Sequence, residues 1–393
     1  MSEYLFVLGR AKELCLAELR SVLTRERIIH HPVSSSPEIF YISATEPLDA
    51  DYLIRILGGT IKIAEVFGVV KDEDENAIIE RLTEFVRCNL KEGEKKINFG
   101  LSGYGNFHSN ELNHWSKTIK ERLEEDQIRS RFLLPQKGLS LSSVVVAKEK
   151  LLEIILIKEG RKIILAKTLV VQDFEDWGRR DFGRPAPDPH RGMLPPKVAR
   201  MMVNLTVGEV ILDPFCGVGT ILAEGMMLGY KVIGSDQSEE AIEKTKRNLN
   251  WFVSNYQISS SKYQIFQCDA THISQKLPPE SIDAIVTEPY LGPVVEDRRR
   301  KIENGKLRNV ILGLEKLYIG CLREWYKILK PDGRVVIALP SFKLTDREFF
   351  VKKPIDTCEN LGYTLLAGPY QYSRSQAKVV RNIYILEKRY GSH

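Results

Sequence analysis

Asp213, Gly217, Gly219 and Asp236 have the types and spacing to hold a nucleoside. The apolar run Val210-Ile211-Leu212 enters the turn Asp213-Pro214-Phe215-Cys216-Gly217-Val218-Gly219-Thr220, and Ile221 to Met227 leaves it with helical character. The glycines therefore stand between a strand and a helix, where a nucleotide-type loop is built. A second apolar strand, Lys231 to Gly234, ends near Asp236, whose carboxylate at the strand tip suits the hydroxyls of a ribose. A tight turn would by itself also explain two glycines. The position three beyond Gly219 is Leu222, so the third glycine of a pyrophosphate-binding loop is missing.

Two further strands follow at regular distance. Ile265-Phe266-Gln267-Cys268-Asp269-Ala270 ends in an acid, and Ser281 to Val286 runs into the corner Thr287-Glu288-Pro289-Tyr290. The string Asp213-Pro-Phe-Cys-Gly-x-Gly-Thr220 resembles the first motif of S-adenosylmethionine-dependent methyltransferases that act on nucleic acids. That resemblance implies a cofactor site: Asp213, Phe215, Gly217, Gly219 and Thr220 around the methionine end, with Pro195 beside them, Asp236 at the ribose and Asp269 at the adenine. Adenosylmethionine has no phosphate, so the missing glycine fits it.

In amino-methylating members of the family the corner reads [D/N/S]-P-P-[Y/F/W], with a polar side chain holding an exocyclic amine and an aromatic ring stacking on a flipped base. Here Thr287 takes the usual acid position and Glu288 that of the first proline; Pro289 and Tyr290 match. Methyl transfer to an amine needs little base strength, so positioning supplies most of the rate. Three readings follow. The Thr287 hydroxyl accepts from the amine, Glu288 supplies the carboxylate from a slightly displaced loop, or Glu288 is a solvated loop acid in an altered site.

These residues need elements to position them. The apolar periodicity predicts a strand at Tyr4-Gly9, a helix at Lys12-Leu23, strands at Ile39-Ile42 and Ile61-Val70, and a helix near Tyr52-Leu57, a small ferredoxin-like unit. It then predicts a helix bearing Ile78, Ile79, Leu82 and Phe85, a strand at Ile97-Leu101, and a helix from Trp115 to Glu124. Strands are expected at Ser142-Val146, Leu151-Ile157 and Lys162-Leu165. Phe99-Gly100-Leu101-Ser102-Gly103-Tyr104-Gly105 and Leu141 to Val146 look like the THUMP module of tRNA-modifying enzymes. The resemblance implies RNA contacts from Lys117, Lys120, Arg122, Arg129, Arg131 and Lys137, although charges at helical spacing also suit a wet face.

The joint between the halves carries Arg180-Asp181-Phe182-Gly183-Arg184-Pro185 and Gly192-Met193-Leu194-Pro195-Pro196-Lys197. These resemble the linker of archaeal and eukaryotic THUMP-containing tRNA guanosine-N2 methyltransferases, in which Met193 to Lys197 folds against the cofactor pocket. The prolines predict an extended crossing with no regular element before a helix at Lys197. Beyond the corner, the basic run Arg298-Arg299-Arg300 is placed to grip phosphates or close as a lid. A helix over Leu314-Leu329, a turn at Lys330-Gly333, a strand at Arg334-Pro340 and a closing hairpin complete the pattern.

The chain has 393 residues and a formal charge of +5. Base exceeds acid in residues 101–200 and 291–393 and the reverse holds elsewhere, so positive charge flanks the cofactor motifs. Six scattered cysteines without a C-x-x-C pair argue for a reducing compartment and against a metal site, and Cys216 reads as a packing residue. No apolar segment is long enough to span a bilayer, and the N-terminus lacks the features of a signal peptide. The expectation is a cytoplasmic enzyme.

The expected fold class is α/β: a doubly wound methyltransferase sheet with an antiparallel last strand, preceded by an α+β ferredoxin-like plus THUMP module. The domains are read as 1–70, 71–168, a linker at 169–192 and the methyltransferase at 193–393. Expected partners are S-adenosylmethionine and tRNA, without metal or membrane; a monomer is one reading of an open oligomeric state. The leading function is methylation of guanosine N2 in tRNA. Another exocyclic amine in rRNA or DNA, including cytosine N4 or adenine N6, and a catalytically altered tRNA binder are the alternatives.

Overall fold

The computed structural model describes residues 1–393 except 72–73, 91–95, 189–192, 294–303, 344–346, 375–376 and 390–393. Arg298, Arg299 and Arg300 lie outside the described residues. The chain forms two compact units: Met1–Lys12, Leu23–Ile56 and Thr60–Phe174 make the first, and Glu13–Val22, Leu57–Gly59 and Glu175–His393 the second.

The first unit is built on strands β1 (Ser2–Leu8), β2 (His30–Ser35), β3 (Ile39–Ala44), β4 (Thr60–Lys71), β5 (Lys96–Tyr104), β6 (Arg129–Leu133), β7 (Leu152–Glu159) and β8 (Lys162–Val171). They form one sheet in the order β2-β3-β1-β4-β8-β7-β5-β6. Antiparallel pairing of β4 with β8 joins the strands before residue 71 to those after it. Strand β1 reads as a continuous apolar run because it is central, between β3 and β4, and covered on both faces.

Helices α1 (Lys12–Arg25), whose middle, Glu13–Val22, is counted with the second unit, α2 (Ala50–Ile56), α3 (Glu75–Cys88) and α4 (Ser109–Glu125) follow in chain order, the last three accompanying this sheet. Asp74 starts α3 by accepting from the Ala77 amide, and Ile78, Ile79, Leu82 and Val86 turn one face inward. Against them lie Leu112, Trp115, Ile119 and Leu123 of α4 and Phe99, Ile154 and Leu165 of the sheet. Each such side chain contributes about 1.5–3 kcal/mol by burial.

The strand expected at Ser142-Val146 is instead a helix, α5 (Ser143–Lys148). Its three valines favour a strand, but the Ser142 hydroxyl accepts from the Val145 amide and caps a helical turn. Val146 then packs on Leu141 and Leu151.

In the second unit, strands β9 (Val210–Asp213), β10 (Lys231–Asp236), β11 (Tyr263–Gln267), β12 (Ile282–Thr287), β13 (Leu329–Lys343), β14 (Glu348–Phe350), β15 (Tyr363–Tyr372) and β16 (Val379–Lys388) form the second sheet. Its order is β11-β10-β9-β12-β13-β16-β15, with β14 on β13. The first five are parallel, and β16 runs antiparallel to both β13 and β15. Helices α6 (Phe174–Phe182), α7 (Pro196–Asn204), α8 (Thr220–Met227), α9 (Glu239–Tyr256), α10 (Asn304–Ile328) and α11 (Lys353–Asp356) complete the chain order. Tyr318, Leu322 and Trp325 of α10 fill the core over Ile285, Val335 and Ile337.

Two expectations fail here. The linker was expected to carry no regular element, yet α6 occupies its first half. Its buried face is Trp177 and Arg180 rather than an aliphatic stripe, so apolar periodicity gives no sign of it. Arg180 pairs with Asp176 one turn back at 3.0 Å and, at 2.7 Å, with Glu224 of α8. The turn expected at Lys330-Gly333 is a bulge inside β13: pairing with β12 jumps from Ile282↔Leu329 to Ala284↔Arg334, and Asp332 takes a φ of 60°.

A carboxylate-lined cleft at the strand ends

From β9 the chain winds outward through β10 to β11, then crosses back to β12 on the other side of β9. The carboxyl ends of β9 and β12 thus flank a topological switch point, where doubly wound sheets leave a crevice. A cleft of about 520 Å³ lies there.

Asp213 ends β9 and is 2 % exposed. It accepts from the Phe215 amide at 3.1 Å and from the Thr287 hydroxyl at 2.7 Å. Burial pushes its carboxyl up to about 7 against those two hydrogen bonds, with the charges of Asp236 and Glu288 adding to the rise. The loop then turns through Gly217 (φ 53°) and Gly219 (φ 80°), conformations suited to glycine. Gly234 is needed for close approach: a Cβ there would stand 2.4 Å from Leu222 Cδ1 and 2.8 Å from Ile265 Cδ1. Asp236 locks the loop to β10, accepting from the Gly217 amide at 3.1 Å and the Ser238 amide at 2.9 Å.

Asp269 follows β11 and accepts from the Thr271 amide at 2.8 Å, which holds its carboxyl below the usual range. At the corner, Thr287 is fully buried and gives its hydroxyl to Asp213. Glu288 faces the cleft, its carboxylate gripped by Arg381 of β16 through Nε to Oε1 and, at 3.4 Å, through a second guanidinium nitrogen to Oε2. Side-chain exposures of 16 % and 8 % make this a buried pair. Burial raises the Glu288 carboxyl above its ordinary value, and the Arg381 charge opposes that rise. Pro289 is buried, whereas Tyr290 is 56 % exposed and its carbonyl accepts from Tyr318 at 2.6 Å.

Of the expected site residues, the structure brings Asp213, Phe215, Gly217, Thr220, Asp236, Asp269, Glu288, Pro289 and Tyr290 to one cleft. Gly219 shapes the turn, Pro195 caps α7, and Thr287 lies behind Asp213 without lining the cleft. The reading of Glu288 as a solvated loop acid is overturned by its burial and its ion pair, and the carboxylate reaches the cleft where it stands. Cys216 is a buried packing residue whose thiol is pushed up by burial.

Several lining residues were not assigned from sequence. Asp188 reaches the cleft and bonds Lys244 of α9 at 3.1 Å, while Met193 and Leu194, expected from the linker's resemblance to fold against the pocket, line it as well. Arg184, 4 % exposed, fastens the linker by donating to Thr220 Oγ1 at 2.7 Å and Met193 Sδ at 3.6 Å.

In the first unit, Lys117 and Arg122 sit on α4, Arg129 and Arg131 on the edge strand β6, and Arg131 bonds Glu149 at 3.3 Å. Among the described residues no group of three or more His, Cys, Asp or Glu side chains could hold a metal, and no helix is long and apolar enough to cross a membrane.

Among the described residues, the carboxylates of Asp188, Asp213, Asp236, Asp269 and Glu288 line the cleft; Lys244 pairs with Asp188 and Arg381 with Glu288, so acid still exceeds base there. Such a surface selects a cationic ligand.

Residues 183–349 match the family described as RMKL-like, methyltransferase domain, and residues 64–247 match one described as DNA methylase. The chain is 32% identical over 212 residues to a tRNA (guanine(10)-N2)-dimethyltransferase of Pyrococcus abyssi, 54% of this chain and 53% of that one. It is 29% identical over 359 residues to the enzyme of the same name from Methanothermobacter thermautotrophicus, 87% of this chain and 90% of that one. The chain therefore spans about half the length of the first relative and nearly all of the second. The crystal structure of TrmN from Thermus thermophilus shares the fold across 99% of this chain and 100% of its own, with a TM-score of 0.58 at 16% identity. The stretch similar to an RMKL-like methyltransferase domain, residues 183–349, encloses the glycine turn, the five cleft carboxylates and the Thr287–Tyr290 corner.

Proposed function

We propose that the protein transfers a methyl group from S-adenosylmethionine to the exocyclic N2 of a guanosine in tRNA. The observation that carries this reading is the cleft itself: a buried carboxylate, Glu288, in the same enclosure as an acidic nucleoside-binding loop. The relatives named for guanine N2 methylation of tRNA support the substrate.

The residues present fit the cofactor. It carries a sulfonium and an ammonium, and the excess of carboxylates supplies the counter-charge. Asp213, Phe215, Gly217 and Thr220 would take the methionine end, with Gly219 turning the loop, Pro195 starting the helix behind it, Asp236 at the ribose and Asp269 at the adenine. Bound there, the cofactor supplies an electrophilic methyl carbon.

The chain's own part is positioning. Glu288, its charge favoured by the pairing with Arg381, accepts a hydrogen bond from the amine N–H and aims the nitrogen lone pair at the methyl carbon. As the new C–N bond forms, the methyl carbon's bond to the sulfonium sulfur would break, its electron pair returning to sulfur to leave a neutral thioether, and the nitrogen becomes cationic. The nearby carboxylate stabilises that charge, and the surplus proton leaves through Glu288 to water. Thr287 acts one step back, holding Asp213. Tyr290, exposed at the mouth with its backbone fixed by Tyr318, offers a ring for the target base. We read residues 1–70 and 71–168 as a ferredoxin-like and a THUMP-like module that grip tRNA, with Lys117, Arg122, Arg129 and Arg131 on its phosphates.

The test is transfer of labelled methyl to unmodified tRNA by the wild type and by Glu288→Gln, which keeps the shape and removes the charge. A loss in kcat of about 100-fold or more, with cofactor affinity retained, is expected. Equal rates would remove Glu288 from the mechanism.

A further inference from the structure

Phe182 ends α6 with 81 % of its surface exposed, the most of any described large apolar side chain after Met1. Isolated exposed apolar residues are ordinary. This one stands on an anchored segment. Two residues before it, Arg180 is buried against Glu224 at 2.7 Å, and its guanidinium lies 3.7 Å from the Trp177 ring centre. Two residues after it, Arg184 is buried against Thr220 and Met193, both of which line the cleft. The Gly183 amide closes the turn onto the Arg179 carbonyl at 2.8 Å. A phenyl ring is thus held out to solvent between two fixed arginines, on a backbone fastened to the rim of the carboxylate cleft.

The surroundings indicate what the ring meets. Arg374 donates to the Met193 carbonyl at 3.0 Å, and its charge acts on both Asp181, next to Phe182, and Glu288 in the cleft. Arg179 and Arg374 are exposed. An exposed aromatic flanked by guanidinium groups is the combination by which proteins hold single-stranded nucleic acid, the ring stacking on a base and the cations meeting phosphates.

We infer that Phe182 is a second stacking platform, for a nucleobase adjacent to the methyl acceptor in the RNA strand, with Arg179 and Arg374 meeting the flanking phosphates. The inference rests on the RNA-methyltransferase reading above and adds a base contact outside the Thr287–Tyr290 corner. A flipped guanosine is cradled by Tyr290 in that reading, and its neighbour, unstacked by the flip, would regain a stacking partner on Phe182.

The experiment uses the full chain and unmodified tRNA, with Phe182→Ala, Phe182→Leu and Phe182→Trp beside the wild type. Tight binding is measured by fluorescence anisotropy of labelled tRNA, and KM and kcat by methyl transfer. Alanine and leucine should weaken tRNA binding and raise KM for tRNA about 5- to 150-fold, the range for one lost base stack. Tryptophan should restore both, and KM for adenosylmethionine should stay within twofold. Because the ring is exposed, none of these variants disturbs the core. Alanine binding tRNA within twofold of the wild type overturns the inference, as does leucine matching phenylalanine, which would mark a general apolar contact. Anisotropy decides the stacking whether or not a methyl group is transferred, so failure of the methyltransferase reading shows separately, as binding without product.

Discussion

Replacing Arg381 by methionine tests the catalytic geometry, because it removes the charge that faces Glu288 while keeping much of the buried volume. The pair is enclosed, with side-chain exposures of 8 % and 16 %, so water does little to stabilise a lone carboxylate there. Breaking such a pair by removing one partner costs about 3–5 kcal/mol. Removing the opposing charge pushes the protonation of Glu288 further upward. Burial already holds the carboxyl above its ordinary value with Arg381 in place, so the variant's Glu288 takes up its proton at higher pH than the wild type's.

A protonated carboxyl no longer accepts from the amine with full charge. The expected result is a kcat that is low at pH 7 and recovers as pH rises, with the acidic limb of the kcat profile displaced to higher pH. The assay is steady-state methyl transfer to tRNA at saturating cofactor from pH 5.5 to 9.5, with Arg381→Lys as a partial rescue. A methionine variant whose profile overlays the wild type, at unchanged kcat, refutes the reasoning. So would a uniform fall with no change of shape, which would mark Arg381 as a structural support only.

Three further outcomes follow from the same geometry. Thr287→Val deprives buried Asp213 of one hydrogen-bond donor, so thermal unfolding should report a loss of about 1–3 kcal/mol, with kcat at saturating cofactor changed far less than in Glu288→Gln. The affinity for adenosylmethionine, measured by calorimetry, should weaken as pH falls through about 7, because a cation favours ionised Asp213 and burial has raised that carboxyl; Asp213→Asn should flatten the dependence. Gly234→Ala places a methyl against Leu222 and Ile265 and should cost about 1–3 kcal/mol in denaturant unfolding; a variant as stable as wild type would show that those two side chains give way.

The sequence made the glycine-turn end of the cleft legible because that end is local. Strand β9, the glycine turn and α8 are contiguous, so Asp213, Gly217 and Thr220 are placed by one strand-turn-helix unit, and Asp236 and Asp269 follow at successive strand ends. The Glu288 end was not, because it is assembled by the sheet. Arg381 lies 93 residues from Glu288 and meets it only because β16 inserts antiparallel beside β13. Without that partner, Glu288 reads equally well as a loop acid. The ambiguity between Thr287 and Glu288 has the same origin, since only pairing of β12 beside β9 shows that the hydroxyl is already spent on Asp213. Helix α6 escaped notice because its inward face is an arginine stacked on a tryptophan, and α5 because three valines suggest a strand until Ser142 is seen capping a turn.

The most direct measurement is nucleoside mass spectrometry of unmodified tRNA after incubation with the full chain and adenosylmethionine. The account predicts N2-methylated guanosine, absent when Glu288→Gln replaces the wild type. Methylation of adenine N6 or cytosine N4 instead, or bound cofactor with no methylated nucleoside, would contradict it.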